Sequence, residues 1–335
     1  MLINLGICMK RIYLIVIIIS LVFVSGCTGS GGLFGGDVIK TKQTSQQDGV
    51  KDILVIKNKE TIPHSPLLPD KPLILSFVIE SMDDIRTVDN VNVELFDAPL
   101  FKNEGGKAKC NENGNCVPKE LADKLKTILP GEQKTVNFYL TTPSEEEIAK
   151  IRTDATLSFR INYDFDSTTT LRVPVVNMGE IEKRQRAGES TTLEIPKYFT
   201  SGPVQIDIEV MNQPYIISGY DASIIFKVKD RGDKTKGFLK DSKIEKGKLT
   251  ITFPEGFTAT TDNDQYFVCV NGCQGEGTNN NVIDLYRGES IPLYFKVKPP
   301  DVAEPYKSFE IKANVKYTYE LRDSAKLTIN PYGNV

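Results

Sequence analysis

The side chains able to ligate a metal, attack a substrate or transfer a proton are few in this chain, and their spacing decides much of what it can do. There is one histidine, His64, set between prolines in IPHSPLLP, and no tryptophan. A single imidazole does not complete a metal site. Partnered with Ser65, it would still need an acid and an oxyanion pocket, which neighbours in a proline-rich loop do not supply. Two acidic couples, Asp164 with Asp166 in DFDS and Asp262 with Asp264 in DNDQ, have the alternate spacing that aims two carboxylates at one cation such as calcium. Neither fits the twelve-residue pattern of a dedicated calcium loop, and both read as solvated turns at strand ends, where Asp and Asn are common. Arg231, Gly232 and Asp233 spell an integrin-binding tripeptide, yet within KDRGDKTKG they read as an exposed charged loop. Tyr163, Phe165, Tyr317 and Tyr319 alternate with polar residues, which makes them core or cross-strand packing rather than a platform for stacking sugars. No catalytic or metal-binding residue is assigned, no cofactor is expected, and the chain is read as a non-enzyme.

Four of the six cysteines form two close pairs, Cys110 with Cys116 in CNENGNC and Cys269 with Cys273 in CVNGC. Four cysteines allow three pairings, but Asn and Gly inside each pair favour tight turns that bring its two members together. Local disulfides are therefore expected, each contributing about 2 kcal/mol in the chain-entropy picture, enough to pin a hairpin tip. A zinc site from the four thiols is disfavoured by spacings that differ from the usual two-residue gaps.

Disulfides need an oxidising compartment, and the amino terminus argues for one. Lys10 and Arg11 precede Ile12 to Val24, an apolar run in which Ser20 is the clearly polar interruption. That is the layout of a signal peptide. It is short of the roughly 20 apolar residues that a spanning helix needs. The run ends in VSGC, where Val24, Ser25 and Gly26 precede Cys27, and this resembles the lipobox of prokaryotic lipoproteins. The resemblance implies cleavage before Cys27 and a lipid on that cysteine. An uncleaved anchor helix is the alternative. Met9, followed by Lys10 and Arg11, reads as a more ordinary start than Met1. Either way the remainder is expected outside, tied to the cell membrane and facing outward.

Composition suits such a chain: 40% hydrophobic, 25% charged and 18 prolines describe a folded protein rich in turns. The net charge is -3, and it becomes -5 once the two basic residues of the leader are gone, so nothing attracts nucleic acid. The basic cluster Lys183, Arg184 and Arg186 is offset by Glu180, Glu182 and Glu189 and reads as a solvated linker. After Cys27, TGSGGLFGGDVIKTKQTSQQDG reads as a flexible tether.

An internal repeat organises the rest. Leu129 to Pro143 matches Tyr286 to Pro300, with Gly131 over Gly288, Phe138 over Phe295 and Pro143 over Pro300. The next strand also recurs: Leu157, Phe159, Ile161, Tyr163 and Phe165 alternate as Ile311, Ala313, Val315, Tyr317 and Tyr319 do. Each set is expected to end in an Asp-Ser turn followed by a short final strand. Upstream, Leu73 to Ile79 answers Ile224 to Val228, and Val91 to Leu95 answers Leu249 to Phe253. Period-two alternation gives strands with one apolar and one wet face, and about seven of them in each half make a sandwich. Helical signals are confined to Pro118 to Leu129 and to a capping box formed by Ser144 and Glu147. On these residues each half resembles the immunoglobulin-like, cell-adhesion-related domains of secreted bacterial and archaeal proteins, and an archaeal source is favoured. The resemblance implies a fold and leaves the ligand open.

The expected architecture is all-β: signal peptide 1–27, flexible linker 28–49, sandwich 50–177, interdomain linker 178–201 and sandwich 202–332. The expected role is a noncatalytic, membrane-anchored surface lipoprotein that binds, adheres or acts as a scaffold. Its expected partners are the membrane, through Cys27 or an anchor helix, and an envelope protein or polysaccharide. The competing reading is an extracellular hydrolase of envelope or external polymers, with its acids in the loops near Asp97 to Lys107 or Thr258 to Asp284.

Overall fold

Period-two apolar runs become strands in both halves. The computed structural model describes residues 45–46, 52–103, 108–110, 116–118, 126–191, 193, 195–212, 214–261, 266–269 and 276–333. The first half contributes β1 (Leu54–Ile62), β2 (Pro72–Ser81), β3 (Val88–Asp97), β4 (Gln133–Thr141) and β5 (Thr153–Val176). Helix α1 (Met178–Ala187) and β6 (Lys197–Phe199) follow. The second half adds β7 (Val204–Val210), β8 (Ala222–Asp230), β9 (Gly237–Leu239), β10 (Leu249–Thr252), β11 (Leu293–Lys298) and β12 (Tyr306–Ile329), together with several strands of two to four residues.

β5 and β12 organise the molecule. Each is 24 residues long, against the usual 3–10, and they pair antiparallel without a register break from Thr153 opposite Ile329 to Val176 opposite Tyr306. The ribbon they form is about 80 Å long at the rise of an extended chain. β3 flanks β5 in the first half, and β10 flanks β12 in the second, so one large sheet runs through both. Two smaller sheets cover one face of it. β1, β2 and β4 lie over the first half, where Phe77 stacks on Phe159 with ring centroids 4.2 Å apart. β7, β8 and β11 lie over the second, where Phe226 and Phe295 meet edge to face at 5.2 Å and Phe226 also meets Phe253. Each such ring, fully withdrawn from water, contributes about 1.5–3 kcal/mol. The all-β sandwich architecture is thus present.

The repeat acquires a geometric meaning here. Ile311 follows Leu157 by 154 positions in the sequence match, and Thr318, the strand partner of Asp164, also follows it by 154. The halves are therefore related by an approximate two-fold axis that passes between Asp164 and Thr318, at the middle of the ribbon. Gly131 and Gly288, matched in the repeat, both take left-handed φ, +66° and +82°, a conformation natural to glycine in the tight turns that precede equivalent strands.

The expected Asp-Ser turns do not form. Asp166-Ser167 lies within β5 and Asp323-Ser324 within β12. The strand continues because the alternation continues: Ser167 and Thr169 take inward positions, where the Ser167 hydroxyl bonds Tyr317 Oη at 3.1 Å and Thr169 Oγ1 donates to the Ile206 carbonyl at 2.7 Å. A buried hydroxyl with a partner costs little, so a serine does not end the strand.

Residues 178–201 are structured. α1 begins at Asn177, whose side chain accepts from the Gly179 N–H, and ends at Gly188 with φ +68°. Its basic residues pair along the helix, Arg184 with Glu180 and Arg186 with Glu182. β6 then pairs with β5, and Ser45–Gln46, within the expected tether, runs parallel to β6. Ser144 and Glu147 do form a reciprocal capping box, around a turn rather than a helix, and Thr127–Ile128 is a strand. No helix of the described residues is long and apolar enough to cross a membrane.

Candidate functional site

Where the two halves meet, the ribbon presents two different faces. Inward, Tyr163 packs against Tyr319 and Phe165 against Tyr317, all four buried. Burial raises the hydroxyl pKa of Tyr163, Tyr317 and Tyr319, which stay neutral. Gly232 presses on this cluster: a Cβ there would lie 1.8 Å from Tyr319 Oη. The glycine of the Arg231-Gly232-Asp233 tripeptide is thus accounted for by packing. Asp233 folds the loop back by accepting from the backbone N–H and hydroxyl of Thr235.

Beside the cluster, β3 leaves β5 after Asp164 and β6 joins it only at Thr169. Arg86 fills the gap. Its guanidinium donates to the carbonyls of Asp166 (2.7 Å) and Ser201 (2.5 Å), pairs with Asp83 at 2.8 Å and lies over the Phe165 ring. Burial alone would raise the Asp83 carboxyl, but the N–H groups of Arg86 and Ile85, the Ser201 hydroxyl and the guanidinium outweigh it and hold the pKa below the ordinary value. A second buried pair, Lys197 with Asp207, joins β6 to β7, and Lys229 reaches the same carboxylate. Burial opposes that charge too, yet the two lysines bring Asp207 down to about 2.

Outward, the same stretch of ribbon floors a cleft of about 430 Å³. Asp164 and Asp166 on β5 and their partners Thr318 and Lys316 on β12 form the floor. Thr87, Asp89 and Asn90, at the start of β3, make one wall. Lys240, Asp241, Lys243, Glu245 and Lys248, where the chain leaves the ribbon between β9 and β10, make the other. Five carboxylates thus face four ammonium groups, and Phe165 and Tyr317 turn their rings to the core. Asp164 accepts from Thr318 Oγ1 at 2.6 Å and from Asn90 Nδ2 at 2.7 Å. Asp166 accepts from Asn314 at 3.0 Å and lies 4.0 Å from Arg86. Lys243 pairs with Asp241 and Glu245. Among the described residues, the ammonium groups of Lys240, Lys248 and Lys316 have no hydrogen-bond or ion-pair partner.

Of the residues singled out by sequence, Asp164 and Asp166 come together, but mid-strand on the wet face of the ribbon rather than in a turn. His64 is exposed in the loop after β1, and Ser65 bonds the backbone of Thr328 on β12, which gives the serine a structural partner instead of a catalytic one. Cys110 stands opposite Cys116 in the backbone register of a two-stranded hairpin. Cys269 ends a short strand opposite Gly277. Cys27, Cys273, Asp262 and Asp264 lie outside the described residues. Among the described residues no group of three or more His, Cys, Asp or Glu side chains is arranged to hold a metal ion. Asp89, Lys240, Lys248 and Lys316 were not singled out by sequence, since no local motif links them.

The fold is that of an all-β protein built of packed, largely antiparallel sheets. No protein-family model matches the chain, and no curated protein matches it. Among solved structures, it is similar to a protein of unknown function from Porphyromonas gingivalis W83, with 9% identity, a TM-score of 0.19 and coverage of 74% of this chain and 84% of that one. It is also similar to the collagen adhesin of S. aureus, with 6% identity, a TM-score of 0.19 and coverage of 84% and 98%. Similarity this low transfers neither ligand nor role.

Proposed function

We propose that the chain is a noncatalytic binding module displayed on the outer face of the cell membrane, tied there by lipid on Cys27 or by a retained N-terminal helix, and that it holds an envelope partner in the cleft between its halves. The observation that carries this reading is the cleft itself: its walls come from opposite halves, and its floor is an unbroken ribbon that fixes them relative to each other. Preorganised walls spare a ligand the cost of ordering its site. A hydrolase would use two carboxylates in such a place, and Asp164 and Asp166 are about 7 Å apart on one strand face. They point the same way instead of across a bond to be cut, and both already accept side-chain hydrogen bonds, so the binding reading is preferred. The test is photo-cross-linking on intact cells with a photoreactive residue substituted at Thr87, compared with one at Thr258, which is exposed and does not line the cleft. The reading expects envelope material attached at position 87 alone, and a terminus that is either lipidated Cys27 or the uncleaved leader. Equal yields at both positions would remove the cleft from the account.

A further inference from the structure

We propose that the ligand of the waist cleft is a polysaccharide bearing carboxylate groups, with its carboxylates on Lys240, Lys248 and Lys316 and its hydroxyls on Asp89. This rests on the cleft being the binding site and adds the chemistry of what it takes.

Asp164 and Asp166 are held by Asn90, Thr318 and Asn314, and Lys243 is shared between Asp241 and Glu245. What an incoming molecule meets uncommitted is three ammonium groups and the Asp89 carboxylate. Lys316 sits directly across the ribbon from Asp166, but that carboxylate bonds Asn314 and faces Arg86. Lys240 and Lys248 stand on one wall with Lys316 on the floor, and Asp89 stands on the other wall, so anionic oxygens fit one side of the cleft and hydroxyl donors the other, while Asp164 and Asp166 keep their charge under neutral donors. A lysine meets an anion as a mobile point charge, which suits groups repeated along a flexible polymer.

The absence of an apolar anchor narrows the class. Protein partners usually seat an aromatic or aliphatic side chain at the centre of their interface. Here Phe165 and Tyr317, the aromatic residues that line the cleft, turn inward and are buried. The same feature disfavours a neutral sugar, which would rely on pressing its apolar ring face onto an exposed aromatic ring. A charged, hydroxylated polymer needs neither. The cleft's 430 Å³ falls within the roughly 300–1,000 Å³ of ordinary ligand sites.

The experiment is calorimetric titration of the full chain with de-esterified polygalacturonate at low ionic strength, beside fully methyl-esterified polygalacturonate and poly-glutamate. A variant combining K240Q, K248Q and K316Q is titrated in parallel, with its unfolding midpoint measured to show that it folds. We expect binding to de-esterified polymer only, weakened about tenfold in the triple variant, the sum of three solvent-exposed ion pairs, and falling with added salt. Equal binding of poly-glutamate would overturn the saccharide class and leave the cleft as an anion site. Unchanged affinity in the folded triple variant would overturn the cleft as the site. No binding to any of these polymers, with cross-linking at position 87 still productive, would overturn the ligand class alone.

Discussion

Odd and even residues of one stretch of ribbon lead opposite lives. Tyr163, Phe165, Tyr317 and Tyr319 face inward and weld the two cores, while Asp164, Asp166, Lys316 and Thr318, their immediate neighbours, face water and floor a cleft. The alternation that makes a strand amphipathic thus assigns cohesion to one face and recognition to the other. Substitutions on the inner face should cost stability in both halves, and those on the outer face should cost binding alone.

The largest expected effect is on the core. Phe159→Ala, which removes the ring stacked on Phe77, should lower stability by about 3–5 kcal/mol. Because the ribbon is shared, denaturant unfolding followed by probes in each half should shift as one transition; a second half that keeps its midpoint would separate the halves. Next comes the gap-filling cation. Arg86→Ala strands the buried Asp83 carboxylate and should cost about 3 kcal/mol in the same measurement. Gly232→Ala drives a methyl into Tyr319 and should cost about 1–3 kcal/mol. A cost near zero would mean that the loop stands clear of the tyrosine cluster.

Two half-buried acids give pH effects of opposite sign. Asp207, held at about 2, contributes stability above the ordinary carboxyl value of 3.8 and loses it as pH falls from there toward 2. Asp52 is the reverse. Burial raises its carboxyl, against the opposing Asp233 N–H, and one of its oxygens is buried without a partner. Its ionisation therefore opposes folding increasingly as pH rises above 3.8. Asp52→Asn should be more stable than the parent at pH 7, with the advantage fading toward pH 4, whereas Asp207→Asn should be less stable at pH 7. Unfolding midpoints across that range check both signs.

Strand positions, inward faces and the two-fold repetition were legible in the sequence, because they follow from period-two patterning and matched turn glycines. What escaped was pairing at a distance. Asp166-Ser167 reads locally as a turn, and only Tyr317, 150 residues away, shows why the strand continues. A repeat shows that two strands are alike without showing that they are partners, so the shared ribbon and the axis between Asp164 and Thr318 were invisible. The cleft was hidden for the same reason, since Asp89 and Lys240 belong to different halves. α1 was missed because Ile181 is its one buried residue, which leaves almost no apolar stripe to detect.

The central claim is that the ribbon makes the halves one body, and native-state hydrogen exchange tests it most directly. Amides of residues 163–169 and 313–319 in the full chain should exchange as slowly as those of the Phe77 and Phe226 cores, through global unfolding. Exchange at this junction on the timescale of exposed loops, while both cores stay protected, would contradict the claim and return the molecule to two sandwiches on a hinge.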